Sequence, residues 1–423
     1  MIDNIDQVLA SRDSVRGVTD HRGQSLPAWR ALHPYTAGIA TLKSADGQPV
    51  LEVRSALSYA DLTAVTVRAG SVSYRFTLEV LNSRTGATAT FADLSMDPAS
   101  TNFVEKRVLA AYPTPPLVTA KALGRALPAL GVTQCVSPPV IFTVHTGMIT
   151  YPIATFVRLV KTRPELASNS RYQAKAQEYL EAVQAAVAVH DAEWRETADR
   201  GGYFVWNKGT PLAYDGTAQP NNQTLALGKT YAELAMATGD PIYSDRVQRL
   251  ANTFSRELKL DTADNAYTWS YWPTYGRTYQ GYTASQNISV YTPSGTGAKQ
   301  IEDLSHGAID VEFVAAALRS RLAFLSPTWG ARFARTYSRN LATADPSGVP
   351  TTFMRVDGTG GLAPEGQYTQ APRWMPFAFQ DSKIFTHSGS IFAAREIGPQ
   401  FGSSLLGVAY LNWYARTGGT QDW

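Results

Sequence analysis

The chain has 423 residues, of which 44% are hydrophobic and 17% charged, a balance typical of a globular protein with a large core. Its formal net charge is only +3, which excludes a strong general attraction to nucleic acid or to an anionic membrane. A single cysteine, Cys135, leaves no intrachain disulfide, and no Cys/His group has zinc-site spacing. No apolar run reaches the roughly 18–20 residues of a membrane span.

The first third of the chain is predicted to be β-rich. Residues 1–39 form an N-terminal segment, and residues 1–6 are polar, so no signal peptide is expected at this end. Between 40 and 112, apolar residues alternate with polar ones, and probable turns fall at 46–47, 69–70 and 84–86. This pattern predicts a small β domain. A Pro-containing linker over 113–139 follows, with a short helix expected at 118–127.

From residue 140 to 423 the apolar period changes to that of helices. Helices are predicted near 148–162, 172–194, 223–237, 243–258, 304–322, 328–343 and 401–416. Between two of them, Gly239 is a typical helix stop and Pro241 a typical first-turn proline. Successive helical hairpins joined by long aromatic loops predict a mainly α chain with an (α/α) toroid, in which loops at one end build a sugar-binding cleft.

The segment EDLSHGAIDVEF, at 302–313, is the strongest candidate for chemistry. If a helix begins near Asp303, then Glu302 and His306 lie one turn apart and point the same way. A carboxylate beside an imidazole orients it, fixes its tautomer and raises its pKa. Asp303 and Ser305 are interpreted as capping residues. The alternative is a helix-terminus carboxylate beside an exposed histidine.

Two other segments offer groups that recognise sugars. The aromatic run YTWSYWP contains Trp269, Tyr271 and Trp272, whose flat faces are predicted to stack on sugar rings, unless the loop is simply packed. Asn222 and Gln223, at the start of a helix, are predicted to direct an amide at the substrate. The alternative for the asparagine is a helix cap.

Five further positions complete the set of candidates. His145 precedes an apolar helix and is predicted to face the central funnel. Arg355 and Arg373 are predicted to bind carboxylates, and Trp374 to contact substrate. Tyr368 is a candidate acid and base, because a tyrosine of lowered pKa can act on both sides of one step. Surface or packing roles are the alternatives for each. No cofactor and no metal is predicted.

Much of the C-terminal region resembles a known enzyme family. The segments HTGMITYPI (145–153), NNQTLALGKTYAELAMATGDPIYSDR (221–246), YTWSYWP (267–273) and EDLSHGAIDVEF (302–313) resemble (α/α)-barrel polysaccharide lyases that act on uronic-acid polymers. These include glucuronan and alginate lyases, and related barrels include uronyl epimerases. The resemblance implies β-elimination on an acidic polysaccharide.

The resemblance also implies roles for individual residues. Asn222, His306 and Arg355 would neutralise the uronate carboxylate, and Glu302 would support them. Offsetting that charge is what makes the neighbouring carbon-bound proton removable. Tyr368 would serve as base and acid, a role that Tyr271 or His145 could take instead.

The N-terminal β region resembles something different. Residues 91–106, FADLSMDPASTNFVEK, and the alternating strands before them are similar to a segment of contractile phage-tail sheath proteins. The resemblance implies a docking role in a phage-tail-like particle. The protein is therefore expected to act on extracellular polysaccharide or as part of such a particle, with neither nucleic acid nor membrane as a partner.

Three alternatives to a lyase stay open. A glycoside hydrolase would use Glu302 as its general acid, with Asp303, Asp310 or Asp357 as the second carboxylate. A uronyl epimerase would use the same toroid. A non-catalytic sugar-binding or structural component of a phage-tail-like particle is the third alternative, since one fold hosts many functions.

Overall fold

A computed structural model describes residues 1–31, 34–322, 326, 328–400 and 402–418. Its strands are β1 (Arg30–Ala31), β2 (Gly38–Lys43), β3 (Pro49–Ser55), β4 (Thr63–Ala69), β5 (Phe76–Asn82), β6 (Thr88–Leu94), β7 (Val118–Ala122), β8 (Gly131–Gln134), β9 (Val140–Ile141), β10 (Trp194–Glu196), β11 (Gly202–Phe204), β12 (Lys259–Asp261), β13 (Ala266–Thr268), β14 (Ala342–Ala344) and β15 (Pro350–Thr352).

Seven of these strands build two antiparallel sheets near the N-terminus. One has the order β2-β3-β7 and the other β6-β5-β4-β8, and their inner faces share one apolar core. Val65 and Val67 on β4 are buried while their neighbours are more exposed, as the period of two predicts. The predicted turns are confirmed: Gly47 and Gly86 adopt left-handed conformations between paired strands, with φ of 84° and 71°.

The stretch 113–139 differs from its prediction as a linker. It contributes β7, which pairs with β3, and β8, which pairs with β4. The helix predicted at 118–127 is wrong, because Val118–Ala122 is a strand. Strand pairing joins residues more than sixty positions apart, which local periodicity does not record. The division of the chain into domains stays a prediction.

Most of the remaining chain is helical. The helices are α1 (Ile2–Ala10), α2 (Asp13–Arg16), α3 (Val104–Ala110), α4 (Thr143–Thr162), α5 (Pro164–Ala167), α6 (Ser170–Ala188), α7 (Asn221–Thr238), α8 (Pro241–Glu257), α9 (Arg277–Gln280), α10 (Leu304–Ser320), α11 (Thr328–Arg335), α12 (Glu365–Tyr368), α13 (Lys383–Ala394) and α14 (Gly402–Thr417). A π-helical turn, Thr336–Leu341, follows α11, and a 3-10 segment, Ala371–Phe377, precedes α13.

The long helices form an inner and an outer layer. Along the inner layer α7 packs between α4 and α10, and the 3-10 segment packs against α10. The outer helices α6 and α8 pack on α4 and α7 respectively, and α13 packs on the 3-10 segment. Together with the small N-terminal sheets, these hairpins confirm the prediction of a mainly α chain with an (α/α) toroid arrangement.

The inner helices run in the same direction. On α4 and α7, Thr150 bonds Thr230 and, further along both helices, Arg158 bonds Glu233. The two helices approach so closely near their starts that a Cβ at Gly147 would lie 2.2 Å from the Ala226 carbonyl oxygen. Asn222 at the start of α7 bonds Glu302 just before α10, and Lys229 further along bonds Glu312, so the N-terminal ends of α4, α7 and α10 lie at one end of the inner layer.

The helix boundaries follow the sequence signals closely where those signals are local. Gly239 ends α7 with φ of 70°, and Pro241 is the first residue of α8. The helix predicted over 172–194 stops earlier, at Ala188, and Trp194 begins a strand instead. The segments 371–377 and 383–394 were not predicted as helical. Among the described helices, none is long and apolar enough to cross a membrane.

Candidate acid–base site

The site lies at the start of α10, at the N-terminal end of the inner layer. Residues 301–303 are extended rather than helical. Glu302 donates its backbone N–H to the Trp269 carbonyl oxygen and accepts a backbone bond from Val356 N. The chain turns into α10 at Leu304, directly after this extended stretch. Neighbouring side chains of the motif therefore point in different directions.

Asp303 is the N-cap of α10 and the partner of His306. Its Oδ1 accepts from the backbone N–H groups of Ser305 and His306, both at 2.9 Å. Its Oδ2 lies 2.6 Å from His306 Nδ1. One carboxylate thus starts the helix and orients the imidazole, which confirms the prediction that Asp303 is a capping residue.

The His306 ring is held firmly but remains accessible. Its side chain is 43% exposed, and Tyr271 contacts the ring edge to face at a centroid distance of 5.3 Å. Burial lowers the pKa of His306, but the hydrogen bond and negative charge of Asp303 outweigh it, so the pKa is raised above its usual value. Burial raises the pKa of Asp303, and the His306 contacts reverse this and bring it to about 2.

A buried pair of carboxyl groups lies behind the dyad. Glu302 and Asp310 are both 0% exposed. Glu302 accepts from Asn222 Nδ2 at 3.3 Å, and Asp310 accepts from Trp269 Nε1 at 2.7 Å. Burial raises the pKa of both groups well above the usual range, and for Glu302 the nearby Asp310 raises it further. Burial thus favours the protonated form of both groups.

The prediction that Glu302 orients His306 is wrong, because Asp303 makes the hydrogen bond to the imidazole instead. Glu302 precedes the helix and its side chain is enclosed, whereas Asp303, three residues before the histidine, carries the contact. The reason is the extended backbone at Glu302, which is set by pairing with distant segments of the chain. The imidazole is nevertheless oriented by a carboxylate, as the motif predicts.

The two amides at the start of α7 do not present themselves to a substrate. Asn222 is 1% exposed and donates to Glu302, so its predicted contact with a uronate is corrected to a contact with a buried carboxyl group. The capping alternative fails too, because Pro220 is the N-cap of α7 and its neighbour Asn221 bonds the Ser270 carbonyl oxygen. Gln223 is partly buried, and its Oε1 makes no hydrogen bond to any residue that the structure describes.

Among the predicted stacking residues, only Tyr271 lies at the dyad. Trp269 and Trp374 are both 0% exposed, and their indole N–H groups donate to Asp310 and to the Leu304 carbonyl oxygen. Neither offers a face to a sugar, so both predictions are corrected. Trp272 is 7% exposed and packs edge to face on Tyr271. The packed-loop alternative therefore describes most of this segment.

The remaining candidates lie at the edge of the site or away from it. Arg355 pairs with Asp303 through its backbone. Tyr368 packs beneath the guanidinium of Arg395, 4.4 Å from the ring centre. His145 contacts two aromatic rings, and burial lowers its pKa. Arg373 is buried, and its guanidinium bonds a carboxylate of the protein itself, so its predicted contact with substrate is corrected.

The potential metal ligands at the dyad already have hydrogen-bond partners within the protein. Glu302, Asp303 and His306 each offer one potential ligand atom within 4.8 Å of the others. However, Asp303 and His306 are bonded to each other, and Glu302 is enclosed and bonded to Asn222. The prediction of no metal remains a prediction.

Sequence reasoning missed two contributors. Asp310 was considered only as a possible second carboxylate in a hydrolase, although its spacing from Asp303 places it two turns along the same helix. Gln367, just before Tyr368, accepts from the Ser305 backbone N–H at 3.0 Å and so supports the first turn of α10. No local signal marks Gln367, because the contact spans 62 residues.

Comparison with known proteins leaves the family open. No family model and no curated protein matches the chain. Among solved structures, a family 76 α-mannanase of Bacteroides thetaiotaomicron is 10% identical, with a TM-score of 0.37, over 65% of this chain and 69% of that one. A cellobiose 2-epimerase of Bacillus thermoamylovorans is 10% identical, with a TM-score of 0.32, over 66% and 61%.

A further similar structure spans more of the chain. A family 76 glycoside hydrolase from a bovine Bacteroides thetaiotaomicron strain is 9% identical, with a TM-score of 0.31, over 89% of this chain and 90% of that one. At these identities and TM-scores the likenesses carry no conclusion about the reaction. The resemblances to uronate lyases and to tail sheaths stay predictions.

Proposed function

We propose that the protein is a carbohydrate-active enzyme in which the Asp303–His306 dyad transfers a proton on the sugar. One observation carries the proposal: His306 is held through Nδ1 by a carboxylate at 2.6 Å while its side chain remains 43% exposed. A general base needs a fixed tautomer and a reachable second nitrogen. The sugar assignment is supported by the uronate-lyase resemblance, because three of its segments build this site.

The dyad supports removal of a proton from a sugar carbon. With Nδ1 protonated and bonded to Asp303, Nε2 is the basic atom, and Asp303 stabilises the imidazolium that forms. Tyr271 stands beside the ring, and burial raises the pKa of its hydroxyl, which keeps it protonated as a donor at neutral pH. Loss of a leaving group after proton removal makes a lyase, and return of a proton on the other face makes an epimerase.

Hydrolysis is the second candidate, and one observation favours it. Glu302 and Asp303 are adjacent carboxyl groups whose pKa values move in opposite directions, as in the acid and base of a glycosidase. Access argues against it. Glu302 is 0% exposed, and Asp303 already accepts hydrogen bonds from Ser305 and His306 at both oxygens.

A product assay tests the proposal. Purified protein is supplied with glucuronan, alginate and a neutral mannan, and products are followed by ultraviolet absorbance of a new double bond, by reducing ends and by epimer ratio. We expect a double bond or an inverted centre, and a loss of about 10²–10⁴-fold in His306→Gln. Reducing ends without a double bond would favour hydrolysis. Full activity of a folded His306→Gln protein would overturn the dyad.

A further inference from the structure

A second charged cluster lies deeper along α10, away from the dyad. Glu312 Oε2 lies 2.5 Å from Lys229 Nζ, and the same carboxylate takes two bonds of 3.0 Å from Arg373. The three side chains are 3%, 1% and 7% exposed. Two cations thus share one carboxylate in a place shielded from water, where an unbalanced charge is costly.

The excess positive charge affects Lys229 directly. Burial lowers the pKa of Lys229; Glu312 opposes this, and the like charge of Arg373 adds to it. Lys229 Nζ also lies 3.1 Å from the thioether sulfur of Met148, which is a weak acceptor. One N–H of the Lys229 ammonium group therefore faces the Met148 sulfur. A stronger acceptor, such as a carboxylate oxygen, would bind that N–H more favourably.

Nearby, the same pattern recurs around a second carboxylate. Glu233, one turn after Lys229 on α7, is bonded by both Arg158 and Arg319. Arg158 is 6% exposed, and its Nη2 makes no hydrogen bond within the described structure. The inner layer is therefore rich in cations along this face of α7.

A cavity opens onto the first cluster. Its volume is about 380 Å³, and its walls come from α4, α7, α10 and α14. Lys229 and Glu312 form its charged end, while Tyr151, Tyr410 and Trp413 are among the largely apolar remainder. Several lining residues are partly exposed, so the cavity communicates with solvent. Size and lining fit a small-molecule site of roughly 300–1,000 Å³.

We propose that this cavity binds a small organic anion, with its carboxylate at Lys229 and an apolar or aromatic body against Tyr151 and Tyr410. The anion supplies the negative charge that the cluster lacks, and the apolar walls exclude a strongly hydrated body. The site is separate from the proton-transfer site. Glu312 follows His306 by six residues, a rise of about 9 Å along the helix.

The test uses 4-fluorobenzoate as the probe and fluorine NMR as the readout on the full chain. We expect saturable binding, and binding about tenfold weaker or worse for the neutral 4-fluorobenzyl alcohol. Lys229→Met should weaken binding of 4-fluorobenzoate by at least about tenfold. This variant leaves Glu312 and Arg373 as a one-to-one pair, which favours folding. Lys259→Met, at an exposed lysine on β12, is the matched control and should bind as the wild type.

A second variant separates a ligand site from a purely structural network. Glu312→Gln removes the carboxylate that competes with the ligand for Lys229 and Arg373, so anion binding should tighten several-fold. Weaker or unchanged binding in a folded Glu312→Gln protein contradicts the proposal. The absence of saturable binding, equal binding of acid and alcohol, or a Lys229→Met protein that binds as the wild type overturns it. None of these results depends on sugar turnover.

Discussion

Two clusters on α10 carry opposite excess charges, and they differ in how that charge is neutralised. At the start of α10, Asp303 bonds His306, and two further carboxyl groups, Glu302 and Asp310, are buried behind this pair, where burial raises the pKa of both and favours their protonated forms. Six residues beyond that histidine, two cations meet Glu312. An arginine does not release its proton, so that excess is relieved only by neutralising Lys229 or by an added anion. The first cluster thus favours protonated carboxyl groups, and the second favours a bound anion.

Breaking the buried cluster should give the largest effect on stability. Glu312→Ala leaves Lys229 and Arg373 buried without their carboxylate, so we expect a loss of about 3–5 kcal/mol in the free energy of unfolding. Denaturant titration measures it. Lys229→Met is the matched control and should cost clearly less, because a single cation remains paired. Equal losses in the two variants would show that charge balance does not govern this region.

At the dyad, the charge of Asp303 should matter more than its cap. Asn is as good an N-cap as Asp, so any fall in the melting temperature of Asp303→Asn reports the lost charge interaction with His306 rather than a lost cap. The loss of the negative partner should lower kcat/KM by about 10²–10³-fold. Steady-state kinetics and thermal unfolding on one preparation decide the question. A variant that loses stability but keeps its activity would reduce Asp303 to a structural role.

The titration of His306 sharpens the same distinction. Its pKa in the folded protein should lie above 6.5, and in Asp303→Asn it should fall, because burial then acts without the carboxylate. A raised histidine pKa gives a stabilising contribution that is complete below pH 6.5 and is lost as pH rises through the folded value. NMR of the histidine ring protons measures both values. A wild-type pKa below 6.5 would contradict the geometry.

Tyr368 should give the smallest effect. Its ring packs beneath Arg395, not against the dyad, so Tyr368→Phe should change kcat/KM by less than about threefold. A matched Tyr271→Phe variant should lose more, since that ring contacts His306. If the order is reversed, the proton-transfer residue implied by the lyase resemblance is Tyr368 after all.

Local signals in the sequence predicted the scaffold well. The stop at Gly239, the restart at Pro241 and the start of α10 each follow from one or two residues with strong backbone preferences. The segment Ala371–Phe377 was missed because two prolines interrupt its apolar period, although it belongs to the inner layer. Its neighbour α13 was missed as well.

The details of the site were less accessible. Which carboxylate meets His306 depends on the extended backbone at Glu302, which distant segments around Trp269 and Val356 impose. Trp269 and Trp374 illustrate a second limit: an aromatic residue suits a sugar platform and a core equally well, and only tertiary packing buries it. Sequence therefore predicted the motif on which the proposed chemistry rests but not the contacts within it.

The most direct measurement of the central claim is an isotope effect on proton removal from the sugar. A uronate substrate identified by the product assay is deuterated at the carbon beside its carboxyl group and compared with the unlabelled form, in wild-type protein and in His306→Gln. Proton transfer by the dyad predicts a primary isotope effect on kcat/KM in the wild type and the loss of turnover in the variant. Turnover with no isotope effect, accompanied by new reducing ends, or a His306→Gln protein as active as the wild type, would contradict it.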